Sequence, residues 1–391
     1  MSPPSLPGSL TPPTAADDYA RWAARAVADE PISREDALTI LERDDPFDLL
    51  AIAQAAGQVR QHYFGRSVTI HVLDNVQNGA CPEDCGYCGQ SKDSTAPIQP
   101  YKLKSVDDIV AQAKAAQERG AYRFCMALSG RGPDQRDISH MTEAIRQIKA
   151  MGMRTCLSSG LLDDEKADQL AEAGLDRLNH NLNTSRRHYP DICKTHTYDD
   201  RVRTLASARQ AGIGLCSGMI VGMNETHEDI LDVAFALREV NAESIPVNFL
   251  LPIEGNRVNE PLSNGQPLTP AYVVRVLSMM RLVNPRAEIR VAAGREAHLR
   301  ALQPLALWPA NSLFMDGYLL TEGAGVDQTL RMIVEAGFAP AFDQPEALPA
   351  RIRDYLENPA AAQASSPESS GTDGAVPELG TRLKAAVSRR G

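Results

Sequence analysis

Eight short apolar or β-branched runs, separated by amphipathic segments of ten or more residues, leave this chain few folds to choose from. In chain order the runs are VTIHVLDN, YRFCMALS, RTCLSS, RLNHNLNT, GLCSGMIVG, SIPVNFLL, IRVAAG and SLFMDG. Between them stand helical patterns, among them VDDIVAQAKAAQERG, MTEAIRQIKAM, EKADQLAEAG, DDRVRTLASARQAG, HEDILDVAFALREV and AYVVRVLSMMRLV. Several end in glycine, at Gly120, Gly174 and Gly212, where a residue without Cβ takes a left-handed C-terminal cap most easily. Eight βα units over about 270 residues fit an α/β fold of the (β/α)8, TIM-type barrel class better than an open sheet. Periodicity cannot see closure, so an open doubly wound sheet stays as the second choice.

The flanks are of a different kind. Residues 1–15 are rich in Pro, Ser and Thr, and AAAQASSPESSGTDGAVPELG cannot bury enough apolar surface to offset its ordering entropy, so disordered termini are expected. A short helix at residues 381–389 fits the pattern and has no assigned role. Residues 16–65 form an N-terminal helical extension, with Ser33 as N-cap before EDALTILER and a second amphipathic run in LLAIAQAAGQVRQHYF. Residues 66–345 are then the barrel, and 346–391 a C-terminal helix and tail.

Composition narrows the partners. Lys plus Arg number 40 against 50 Asp plus Glu, a formal charge of −10 spread along the chain, with no basic run to neutralise a phosphate backbone or an anionic membrane surface. Nucleic acid and membrane partners are disfavoured. No stretch approaches the roughly 20 apolar residues of a membrane span, and MSPPSLPGSLTPPTA lacks the charged start and apolar centre of a signal peptide. The expected compartment is the cytoplasm. There, the seven cysteines should bind metal or lie buried rather than form a disulfide framework.

Cys81, Cys85 and Cys88 are crowded into CPEDCGYCGQ, after the first run, with the spacing CxxxCxxC. Such thiolates can converge on one soft-metal centre, and Gly86 and Gly89 let the loop fold tightly around it. A structural zinc site wants four protein ligands, and the nearest downstream histidine is His140. A 4Fe-4S cube on three thiolates instead leaves one iron open to a substrate or cofactor. A zinc knuckle completed by a distant side chain is the alternative. Cys125, Cys156 and Cys216 lie in three different runs and meet inside a barrel if each points inward; buried core filler is the competing explanation.

CxxxCxxC after the first strand of a βα barrel is the motif of the radical S-adenosylmethionine superfamily, and CPEDCGYC resembles the biotin synthase family within it. The resemblance runs from about residue 62 to about residue 321. It implies a 4Fe-4S cluster on Cys81, Cys85 and Cys88, with S-adenosylmethionine on the remaining iron as the source of a 5′-deoxyadenosyl radical. RFCM, CSGMIVGMNET and IRVAAGRE resemble the family's segments around a 2Fe-2S cluster held by three cysteines and an arginine, here Cys125, Cys156, Cys216 and Arg290. A buried arginine is costly unless something anionic faces it, as a thiolate-rich cluster would; a core ion pair is the plainer alternative. Arg295 is expected to make a separate structural contact.

The resemblance also implies cofactor contacts. Tyr87 matches a residue whose backbone faces the adenine, Gly160 one near the methionyl group, and Gly218 and Ile220 the segment packed on the adenine. Asn181 and Asn183 match residues near the ribose and substrate, and Asn248 one on the ureido ring of dethiobiotin. Asn179, Asn181 and Asn183 alternate, so a strand would put all three on one face. Two positions depart from relatives: Gln77 stands where many carry lysine, and Asn183 where some carry aspartate.

The implied activity is the conversion of dethiobiotin to biotin by sulfur insertion at two saturated carbons, carbons that acid-base or nucleophilic catalysis cannot activate. A flavodoxin or ferredoxin electron donor and a homodimer are implied with it. Two alternatives remain: another radical barrel enzyme, aminomutase-like or methylornithine-forming, without the second cluster; and a non-catalytic zinc-binding module. Cys193 fits neither cysteine set and is taken as incidental, with a chance of being a surface-reactive thiol. His180, His188, His196 and His227 are expected to be solvated or locally bonded.

Overall fold

The computed structural model describes residues 15–342 together with Arg353, Leu356 and Glu357. The Pro/Ser-rich start, most of the C-terminal segment and the helix expected at 381–389 lie outside the described residues. All eight runs form strands: β1 (Ser67–Asn75), β2 (Arg123–Ala127), β3 (Arg154–Ser158), β4 (Arg177–Asn179), β5 (Gly214–Cys216) with β6 (Met219–Val221), β7 (Ser244–Phe249), β10 (Glu288–Val291) and β11 (Ser312–Met315). Between β7 and β10 a small antiparallel hairpin, β8 (Leu262–Ser263) and β9 (Gln266–Pro267), stands apart from the main sheet. The ring closes because β7 pairs with β10, β10 with β11 and β11 with β1, all in parallel. The barrel, not the open sheet, is the fold.

Side chains alternate across a strand, so the register decides which residues share the interior. Cys125 lies opposite Cys156, Cys156 opposite Arg177, and Asn179 opposite Cys216. Cys216 in turn faces Ser244, Ser244 faces Glu288, and Arg290 faces Ser312. Thiols, hydroxyls and charges thus occupy part of the interior, where aliphatic layers usually fill a barrel of this type.

Outside run α4 (Val106–Glu118), α5 (Gln135–Ala150), α6 (Asp164–Glu172), α8 (Tyr198–Gln210), α9 (His227–Glu239) and α10 (Pro270–Val283), with the short α7 (Tyr189–Ile192) and α11 (Arg295–Leu299) at loop ends. Side chains of Ser105, Asp134, Asp163, Thr197, Thr226 and Thr269 accept from first-turn amides, so each long outer helix begins on a satisfied cap. Asp134 is why α5 starts six residues before the MTEAIRQIKAM pattern does. Gly120, Gly174 and Gly212 take positive φ just past their helices, as expected.

The N-terminal extension is α1 (Ala15–Val27), α2 (Arg34–Glu42), capped by Ser33, and α3 (Pro46–Phe64). It buries Tyr19, Trp22, Ile40 and Ile52, and α3 packs on α1 and α10. After β11, α12 (Val326–Glu335) leads to β12 (Ala339–Ala341), which pairs with β1 beside the barrel. Among the described residues no helix is long and apolar enough to cross a membrane.

Two runs depart from the alternation. The fifth is interrupted between β5 and β6: at Gly218 a Cβ would stand 1.9 Å from the Pro246 carbonyl oxygen, so the chain passes too close to β7 for any side chain. In RLNHNLNT the strand stops at Asn179, and Asn183 takes a left-handed φ of 69°. The expected single strand face through Asn179, Asn181 and Asn183 is therefore not a strand beyond its first member.

Candidate active site

A cavity of about 260 Å3 opens where the loops leave the C-terminal ends of the strands. The loop after β1 contributes Cys81, Cys85, Tyr87 and Cys88; Gly160 comes from the turn after β3, and Asn179, His180, Asn181 and Asn183 from the end of β4. Ile220 and Asn248 complete the far wall. All three loop cysteines are free thiols. Burial pushes the Cys88 thiol up to about 11 and raises that of Cys81, so without a cation these sulfurs keep their protons.

The loop is braced from behind by residues 191–196. The Gly86 amide donates to the Ile192 carbonyl at 2.8 Å, and Asp84 accepts from the Lys194 and Thr195 amides at 2.9 and 3.1 Å. Cys193 belongs to this brace and is not a surface thiol: it is 2% exposed, 3.8 Å from the Cys85 sulfur and 3.2 Å from Asp84 Oδ1. The expectation fails because the segment after α7 folds back under the cysteine loop. Ligand atoms of Cys85, Cys193 and His196 lie within 4.8 Å of one another. His196 is nevertheless committed, its Nδ1 to Glu83 and its Nε2 to Nη2 of Arg201 at 2.9 Å.

The expected cofactor and substrate residues divide. Asn183 Nδ2 donates to the Tyr87 hydroxyl at 2.7 Å, and the Tyr87 carbonyl accepts from Asn256 at 2.9 Å. Asn181 Oδ1 accepts from Asn179 at 3.3 Å. Asn248 donates to the Met219 carbonyl and accepts from the Ala293 amide, at 3.0 and 3.2 Å, which leaves one donor and one acceptor site over for a ligand. Gly160 has φ 84°, and a Cβ there would meet the Arg131 carbonyl oxygen at 2.4 Å. Gly218 does not line the cavity; its bare α-carbon serves the contact with Pro246. Gln77 does not line it either. Arg295 bonds Glu296 and Gln303, as expected of a structural residue.

His180 is neither solvated nor locally bonded through its Nε2. It is 4% exposed, lines the cavity, and its Nε2 has no hydrogen-bond partner among the described residues. Burial holds it well below the usual histidine range, so it presents a neutral imidazole. Strand alternation would have turned it outward; the end of β4 at Asn179 turns it in. His188 and His227 are locally engaged, the first with the Met223 carbonyl and the second stacked on Tyr272.

Below the cavity, Cys125, Cys156 and Cys216 pack together with Ala292 and Phe314. The neighbouring Cys125 thiol and burial push the Cys156 thiol up to about 12, against an opposing pull from Cys216. Arg290, 1% exposed, donates from Nη1 to the Cys216 sulfur at 3.6 Å, from Nε to Ser312 Oγ at 3.0 Å and from Nη2 to Ser244 Oγ at 2.8 Å and to Glu288. Glu288 also takes Arg177 Nη1 at 3.0 Å. Burial opposes its charge, but Arg177 and Arg290 hold it well below the usual carboxylate range. One carboxylate between two guanidiniums leaves a positive excess beside three thiols, which suits an anionic metal-thiolate centre.

Arg177, His71 and Glu288 were not singled out from sequence. The one available signal was the i, i+2 spacing of Glu288 and Arg290, which puts opposite charges on one strand face. Two side chains reach from the cavity to the buried set: Asn179 lines the cavity and donates to the Cys216 sulfur at 3.3 Å, and Tyr318 lines the cavity while packing on Phe314 in the cluster of the buried thiols.

Residues 77–237 match the radical SAM superfamily and residues 246–339 the Biotin and Thiamin Synthesis associated domain. The chain is 54% identical over 316 residues to the biotin synthase of Acaryochloris marina, covering 81% of this chain and 90% of that one. It is 50% identical over 325 residues to the biotin synthase of Leptospira biflexa, covering 83% and 90%. Among solved structures, methylornithine synthase has a TM-score of 0.71 at 20% identity, covering 84% of this chain and all of that one. The FeFe-hydrogenase maturase HydG of Carboxydothermus hydrogenoformans has a TM-score of 0.71 at 16% identity, covering 89% and 87%. At such identities these two likenesses speak for the fold alone.

Proposed function

The chain belongs to the biotin synthase family of radical S-adenosylmethionine enzymes, and from that membership we propose how its own residues serve the conversion of dethiobiotin to biotin. The family implies a 4Fe-4S cluster, a 2Fe-2S cluster and S-adenosylmethionine. When bound, they supply the one-electron cleavage that makes an adenosyl radical, and the sulfur that is inserted.

Cys81, Cys85 and Cys88 hold the 4Fe-4S cluster. With Cys193 turned to Asp84 and His196 to Glu83 and Arg201, the neighbouring donors are occupied, so these three thiols are the ligands this loop would offer such a cluster. Cys125, Cys156, Cys216 and Arg290 hold the 2Fe-2S cluster. Tyr87, Gly160, Asn181, Asn183 and Ile220 receive S-adenosylmethionine: Gly160 by giving room, Ile220 by apolar contact, and the amides by the donors and acceptors they have left. Gly218 acts one step removed, by holding β6 close to β7. Asn181 and Asn248 orient dethiobiotin, and the closed barrel beneath excludes water from the radical.

The observation that carries this reading is that Asn179 and Tyr318 line the same cavity as the loop thiols, while Asn179 bonds the Cys216 sulfur and Tyr318 packs on the cluster that holds the buried thiols. A substrate in the cavity stands between the loop cysteines and the buried ones. The domain limits follow the same logic, with 16–65 an extension and 66–345 the catalytic barrel. A flavodoxin or ferredoxin as electron donor, a homodimer and a cytoplasmic setting complete the proposal.

The test is anaerobic incubation of the iron- and sulfide-loaded chain with reductant, S-adenosylmethionine and dethiobiotin, with biotin and 5′-deoxyadenosine both quantified. Both should form. 5′-Deoxyadenosine without biotin would keep the radical chemistry and remove the substrate assignment.

A further inference from the structure

One side chain stands between Cys125 and Arg290. His71, on β1, is fully buried, with Nδ1 3.7 Å from the Cys125 sulfur and Nε2 3.3 Å from Nη2 of Arg290. The Phe314 ring packs edge-on against the imidazole, centroids 5.9 Å apart, so the ring is not free to seek other partners. A guanidinium can only donate and a metal-bound thiolate can only accept. A neutral imidazole offers one donor and one acceptor. Between these two neighbours a single tautomer bonds at both ends: proton on Nδ1, lone pair on Nε2. The other tautomer would turn an N–H toward Arg290 and a lone pair toward the anion.

Glu288 Oε1, also 3.3 Å from Nε2, does not need that N–H. It already accepts from Nη2 of Arg290 and from the Ser244 hydroxyl, while its second oxygen takes Arg177.

We infer that His71 is a positioning residue of the second-cluster site, donating Nδ1–H to the Cys125 thiolate and sharing, through its Nε2 lone pair, an Nη2 N–H of Arg290 on which Ser244 and Glu288 also draw, so that the guanidinium keeps Nη1 toward the thiols. The inference rests on Cys125 and Arg290 being ligands of the 2Fe-2S cluster. A hydrogen bond to a ligating sulfur stabilises the more negative, reduced state and so raises the cluster's potential, and it strengthens the hold on the metal.

Two amide variants separate hydrogen bonding from packing. In His71→Asn the amide nitrogen reaches the place of Nδ1; in His71→Gln it reaches the place of Nε2. Wild type and both variants are reconstituted anaerobically with iron and sulfide, then read for iron content, for 2Fe-2S absorption during chelator challenge, and for midpoint potential. His71→Asn, which keeps the donor to Cys125 and gives up the acceptor for Arg290, should stay near the wild-type potential and bind the 2Fe-2S cluster more tightly than His71→Gln. His71→Gln should keep the 4Fe-4S cluster but hold the 2Fe-2S cluster roughly tenfold more weakly and at a more negative potential. Equal behaviour of all three proteins, or equal loss in both variants, overturns the inference. A wild type that takes up the 4Fe-4S cluster alone instead defeats the parent assignment of Cys125 and Arg290, and the iron count distinguishes that failure from the other.

Discussion

Cys216 is fully buried, with Arg290 on one side of its sulfur and Asn179 on the other. Cys216→Ala should therefore lower iron from about six to about four per chain. It should abolish biotin while leaving 5′-deoxyadenosine formation measurable by chromatography; undiminished biotin from this variant would remove the second cluster from the mechanism. Glu288→Gln tests the charges below. It leaves the buried Arg290 and the half-buried Arg177 without their shared carboxylate, and a broken buried pair of this kind costs about 3–5 kcal/mol, visible as a lower denaturation midpoint. At this scale the sequence was legible where spacing is distinctive, as in CxxxCxxC. His71, Arg177 and Glu288 were not, because each is an ordinary residue within a strand until β1, β4 and β10 are brought to one interior.

The elements that carry the site are fixed by a few local interactions. Asp229 closes the capping box of α9 with Thr226 and also receives Ser185 and Arg187. Burial works against its charge, yet these bonds hold its carboxyl down to about 2. Its folded value lies below the unfolded one near ~3.9, so its stabilisation is complete above that pH and is lost as pH falls through about 2. Asp229→Asn should cost about 2 kcal/mol in denaturant unfolding at pH 7, and the difference from wild type should shrink toward zero near pH 2. Gly218→Ala should be worse tolerated than its exposed counterpart Gly212→Ala, because its Cβ would enter the Pro246 carbonyl while Gly212 has open space. Comparative thermal melts decide this: equal losses would mean that β6 can move off β7. Helices and strands were legible from periodicity and caps. The interruption at Gly218 and the early end of β4 were not, since both depend on how closely the neighbouring strand passes.

For the whole molecule, the alternation of eight runs was enough to favour a barrel, and closure through the β7–β10 and β11–β1 pairings is what turns scattered cysteines into a set. The same closure explains Cys193: no motif marks it, and it acquires its place only when the segment after α7 packs beneath the first loop. The loop thiols ring the cavity, and the buried thiols lie below it within reach of two shared side chains. Mössbauer spectroscopy of the chain reconstituted anaerobically with isotopically enriched iron measures this arrangement most directly. The account predicts two cluster signals in a ratio of about two to one, the larger altered by S-adenosylmethionine and the smaller absent from Cys216→Ala. One cluster signal in the wild type, unchanged by the Cys216 substitution, would contradict it.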